Sequence, residues 1–224
     1  MSTSRENEES DVEVKAGGIT LEGNLVVPKD SKGVVLFAHG SGSSRFSPRN
    51  RYVARALQKE RFATLLIDLL TKDDEKIDVL TAEFRFNIEM LSNRLIYVTK
   101  WLKEKAETRN FATGYFGAST GAAAAIIAAA KNPNDVQAIV SRGGRPDLAI
   151  DYLPMVKVPT LLIVGGNDVL VIEMNKQAIK YLQTVKKLEI VPGASHLFEE
   201  PRALEKVARL ATAWFNNYLT SKIR

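Results

Sequence analysis

Six short apolar runs punctuate the sequence: GVVLFAHG, FATLLIDLL, FATGYFG, VQAIVSRGG, VPTLLIVGG and KKLEIVPG. Runs rich in β-branched residues and leucine are what strands covered on both faces require, and such strands belong to a mostly parallel sheet. Parallel neighbours cannot be joined by a tight turn, and stretches with helical spacing fill the gaps between the runs. The alternation therefore predicts an α/β fold in three layers, a twisted and mostly parallel sheet with helices on both faces.

The remaining segments fit that frame. Val12 to Val27 holds two alternating stretches broken at Ala16-Gly17-Gly18, the pattern of an N-terminal antiparallel hairpin. Ser47-Pro48 reads as an N-cap followed by proline at the first helical position. Helical spacing runs over Thr81 to Lys105, Gly121 to Ala130 and Val171 to Leu182, and a last helix carries Leu204, Val207, Ala208, Ala211, Phe215 and Leu219. The charged run Lys72-Asp73-Asp74-Glu75-Lys76 reads as a solvated loop. No repeat, linker or second domain is visible, so residues 11–224 are expected to form a single domain behind a frayed tail of residues 1–10.

Composition narrows the partners. The chain has 31 basic and 26 acidic side chains, a net charge of +5, and no dense basic block, so no nucleic-acid partner is expected. The start is polar and acidic, without the charged and apolar regions of a signal peptide. The longest strongly apolar run, Ala122 to Ala130, is far too short to span a bilayer, so no membrane partner is expected. The chain has no cysteine, which removes disulfides, thiolate metal sites and a cysteine nucleophile and fits a cytoplasmic protein. The oligomeric state is unknown from sequence.

In open α/β sheets, sites lie at the carboxyl ends of the strands. That rule selects His39 to Gly42, Asp68, Gly117 to Gly121, Arg142 to Arg145, Asp168 and His196. Gly117-Ala118-Ser119-Thr120-Gly121 has the form G-x-S-x-G, in which small residues let a strand turn sharply into a helix and lift a serine hydroxyl above it. By itself the pentapeptide leaves a structural turn or a phosphate cradle open, although neither a Rossmann fingerprint nor a P-loop is matched. A serine nucleophile needs a base. His196, after the last strand pattern, is the candidate, while His39 reads as a packed, hydrogen-bonded residue. Asp168 is the candidate orienter, with a helix cap as its plainer alternative. The order Ser119, Asp168, His196 is that of a strand-end triad.

Backbone N–H groups of Ser41 and Thr120 are the expected oxyanion donors. Arg45, Arg142 and Arg145 are candidates for binding a carboxylate or phosphate on the substrate, against a purely solubilising role.

AHGSG, GASTG, GGND and GASH, in this order, resemble the α/β-hydrolase superfamily, and within it the dienelactone-hydrolase-like branch of small, lidless enzymes. The resemblance runs from about Val12 onward. It implies a hydrolase of small carboxylic esters or lactones that works through an acyl-enzyme, with a Ser-His-Asp triad and neither metal nor organic cofactor. One departure matters: dienelactone hydrolases proper use a cysteine nucleophile, where this chain has Ser119. The resemblance thus implies the fold and the triad and leaves the lactone open. An acyltransferase, a peptidase or a cofactor-free perhydrolase fits the same scaffold, and a non-enzymatic binding or interaction protein is the rival from another class.

Overall fold

The computed structural model describes residues 8–219. Its strands are β1 (Glu9–Ala16), β2 (Ile19–Val26), β3 (Val34–Ala38), β4 (Ala63–Ile67), β5 (Thr113–Ala118), β6 (Ala138–Arg142), β7 (Thr160–Gly165) and β8 (Lys186–Val191). They form one sheet in the order β1-β2-β4-β3-β5-β6-β7-β8. β1 pairs antiparallel with β2 and β2 antiparallel with β4; every later pair is parallel. The hairpin turns at Gly17 and Gly18, whose φ values of 59° and 92° suit glycine.

The helices are α1 (Pro48–Lys59), α2 (Lys72–Thr81), α3 (Ile88–Glu104), α4 (Thr120–Lys131), α5 (Val169–Ala178) and α6 (Ala203–Tyr218), with a 3-10 stretch at Pro146–Met155. Successive residues of a strand point to opposite faces, and the central strands show it. Leu36, Leu65, Tyr115 and Ile139 enter the core shared with α3 and α4, while Phe37, Phe116, Val140 and Ile163 enter the one shared with α1 and α6. These are the three layers of an α/β-hydrolase fold. Among the described residues no helix is long and apolar enough to cross a membrane.

Three boundaries differ from expectation. β1 begins at Glu9, so Glu9 and Ser10 belong to the sheet and not to a tail; residues 1–7 and 220–224 lie outside the described residues. The charged run at 72–76 is the start of α2 rather than a loop. Thr71 and Asp74 form a reciprocal capping box, Asp74 pairs with Arg94, and the Asp78 carboxylate accepts the Phe84 and Arg85 N–H groups. The helix expected from Thr81 begins at Ile88, behind a turn in which Ala82 is left-handed and Asn87 caps through the Met90 N–H.

Candidate active site

The corner between β5 and α4 is built by small residues in close contact. A Cβ on Gly117 would lie 2.4 Å from Ala122 Cα, and one on Gly121 would lie 2.3 Å from the carbonyl oxygens of Ala38 and His39. α4 is buried along Thr120 to Ala130, which its alanines permit by letting the helix lie close to the sheet. At the corner Ser119 has φ 50° and ψ −121°, a conformation costing a non-glycine residue roughly 1–3 kcal/mol. Its N–H donates to Arg142 O at 3.2 Å and its carbonyl accepts from Arg145 N–H at 3.1 Å, so backbone bonds to the end of β6 hold it there.

Asp168 and His196 are brought together by three hydrogen bonds between their loops. Asn167 N–H donates to Ala194 O at 2.9 Å, the Asn167 amide donates to Gly193 O at 2.9 Å, and Gly166 N–H donates to Val191 O at 2.8 Å. Below the histidine, Phe198 is buried at φ 57° and fixes the loop to the core. Asp168 stands at the N-cap position of α5, yet its side chain makes no cap bond; Oδ2 lies 2.6 Å from His196 Nδ1 instead. The plainer reading of Asp168 as a helix cap is therefore not what the geometry gives. The His196 ring in turn lies over Gly143, where an added Cβ would be 3.4 Å from Cε1. Gly143 follows Arg142, whose carbonyl holds Ser119. Among the described residues the Ser119 hydroxyl makes no hydrogen bond.

The loop after β3 reaches over the elbow: a Cβ on Gly40 would meet Ser119 Cβ at 2.9 Å. Ser41 N–H is not a free donor, because it donates to Thr120 Oγ1 at 2.9 Å. His39 is buried beneath the loop, its Nδ1 2.9 Å from Gly40 O and its Nε2 accepting from Leu69 N–H at 3.0 Å. That is the packed histidine expected from sequence. A cavity of about 520 Å³ opens beside the loop, lined among others by Ser41, Thr120, Phe46, Leu69, Val79 and Leu91. Val79 belongs to α2, a helix the sequence reading did not contain.

The three arginines do not gather at a common anion site. Arg45 is held by Asp68 through its backbone N–H and its guanidinium, and by Glu22 at 2.7 Å; these bonds anchor the loop to the sheet. Arg145 pairs with Asp147 at 2.7 Å. Arg142 is buried, with one nitrogen 3.3 Å from Asn50 Oδ1 and its guanidinium 5.9 Å from the centre of the Phe198 ring. Burial, with the charge of Arg49 nearby, pushes its pKa down to about 10. Among the described residues no three His, Asp or Glu side chains converge as metal ligands would.

A lidless, mostly parallel sheet with a positive-φ serine at its central strand-helix corner defines an α/β hydrolase. Residues 21–219 match the Dienelactone hydrolase family, and the chain belongs to that family. A dienelactone hydrolase from Anabaena variabilis is 58% identical, with a TM-score of 0.94 over 96% of this chain and 100% of that one. XC6422 from Xanthomonas campestris, described as a serine hydrolase without lid, is 18% identical with a TM-score of 0.75 over 97% of each chain, a likeness of fold. A Mycobacterium tuberculosis protein named "Putative phosphoribosyl transferase" is 53% identical over 211 residues, 94% of this chain and 47% of that protein. The chain thus spans about half the length of the curated relatives it matches.

Proposed function

We propose that this hydrolase cleaves small, uncharged carboxylic esters or lactones by serine catalysis, with Ser119 as nucleophile, His196 as base and Asp168 as its orienter. The observation that carries the reading is the 2.6 Å bond between Asp168 and His196, formed at a helix N-cap in preference to capping, with the His196 ring over Gly143 and the positive-φ Ser119 bonded to the carbonyl of the adjoining Arg142. His196 Nε2 takes the Ser119 proton as Oγ adds to the acyl carbon, and the carbonyl π electrons move onto the oxygen. The oxyanion collapses, the C–O bond to the leaving group breaks, and His196 returns the proton to the departing alcohol. Water then attacks the acyl-enzyme through the same base, and the acid and free serine are released. Asp168 accepts from Nδ1–H throughout, which keeps Nε2 facing the serine and steadies the imidazolium.

The uncharged substrate follows from the arginines. Two are matched by carboxylates of the chain itself and the third is buried, so none stands ready for an anion. Phosphoribosyl transfer, named for the mycobacterial relatives, we assign to the part of those proteins outside the aligned stretch. Turnover of p-nitrophenyl acetate by the wild type and its loss by several orders of magnitude in Ser119→Ala tests the reading. Equal turnover by both proteins overturns it.

A further inference from the structure

The bond from Ser41 N–H to Thr120 Oγ1, at 2.9 Å, redistributes the work expected of these two residues. It engages the backbone donor that sequence assigns to the oxyanion. A hydroxyl that accepts through a lone pair still has its own proton to give. Thr120 is 3% exposed and lines the cavity, so its hydroxyl has little access to bulk water. It is the first residue of α4, so no helical carbonyl stands four residues upstream to receive that proton. Among the described residues no other acceptor receives it either. The Thr120 backbone N–H, one of the unpaired donors at the start of α4, belongs to the same residue.

We propose that the Thr120 side-chain hydroxyl is itself a donor to the oxyanion, acting with the Thr120 backbone N–H, and that Ser41 N–H holds and polarises that hydroxyl instead of touching the substrate. The proposal rests on the serine-hydrolase reading above. When Ser119 Oγ adds to the acyl carbon, charge gathers on the carbonyl oxygen; Thr120 donates a hydrogen bond to it and keeps its proton. A hydroxyl that is accepting one hydrogen bond gives a stronger one, so Ser41 strengthens the donor it orients. The N-terminus of α4 adds its partial positive charge at the same place.

Three substitutions test the assignment against p-nitrophenyl acetate. Thr120→Val keeps the shape, removes the hydroxyl and frees Ser41 N–H; Thr120→Ala does the same with less bulk and decides the matter if the valine protein folds poorly. Both should lose roughly 10²–10³-fold in kcat, with kcat/KM falling in step and KM little changed, as for an interaction made only in the transition state. Thr120→Ser, which restores a hydroxyl, should stay within a few-fold of wild type. Affinity for an aryl boronic acid, whose adduct mimics the tetrahedral intermediate, should fall in parallel with kcat. Valine and alanine proteins that match or exceed wild-type kcat overturn the proposal, since Ser41 N–H would then be the donor and the hydroxyl only its plug. A wild type without Ser119-dependent turnover removes the hydrolase reading itself, and the proposal with it; the two failures are distinct.

Discussion

Mild acid should loosen the loop that lies over the elbow, because His39 supports it in a way that depends on protonation. The ring is buried, and its Nε2 accepts the Leu69 N–H, which only an unprotonated nitrogen can do. The network therefore puts the proton on Nδ1, facing Gly40 O. Burial pushes the His39 pKa down, and the opposing pulls of the Gly40 carbonyl and of the Asp68 and Glu75 charges are smaller. The unfolded chain, with an ordinary histidine pKa near 6.5, takes up a proton that the folded ring refuses. Its contribution to stability is thus complete above that value and is lost as pH falls from there toward the depressed folded value. As pH falls from 7.5 to 5.5 the unfolded imidazole takes up a proton more readily than the folded ring, so folding free energy is lost over that interval. Urea unfolding of wild type and His39→Gln at the two pH values measures it. The variant should be less stable at pH 7.5 by about 1–3 kcal/mol, for the lost buried bonds. Its stability should depend less steeply on pH than that of wild type over the interval. The same dependence in both proteins refutes the reasoning, because every other ionisable group is common to the two.

Two further outcomes bear on the site. Gly121→Ala would set a methyl group 2.3 Å from two backbone oxygens, so α4 must move by about 1 Å relative to β3 to regain ordinary contact. Urea unfolding should register about 1–3 kcal/mol of destabilisation, and the displaced elbow should lower kcat by roughly 10²-fold; a variant with wild-type kcat contradicts the account of the corner. For substrate charge, p-nitrophenyl acetate should be turned over at least as efficiently as its carboxylate-bearing hemisuccinate analogue. A clear preference for the anionic ester at low salt, lost as salt is added, would mean that an arginine is available after all.

The fold was legible where one local signal sufficed. Both faces of β3 to β7 are covered, so their apolar runs stood out, and Ser47-Pro48 opened α1 as its cap chemistry required. α2 was not legible because its support is distant in sequence: Asp74 needs Arg94, and Asp78 needs the turn that follows. Without those partners a charge-dense run such as Lys72 to Lys76 resembles a solvated loop. At the candidate site, Ser119, Asp168 and His196 stood out in the sequence because each follows a strand pattern. The arginines could not be sorted, since nothing local reveals that Asp68 and Glu22 take Arg45 or that β6 buries Arg142. The Ser41 to Thr120 bond joins residues 79 positions apart and left no trace in the sequence.

Peptide mass spectrometry after reaction with a fluorophosphonate probe tests the central claim most directly. A serine activated by its neighbours should carry the adduct on the peptide containing Ser119, at one equivalent per chain, and His196→Ala should slow its formation by orders of magnitude. Wild-type protein left unlabelled at Ser119, or labelled as fast without the His196 imidazole, would contradict it.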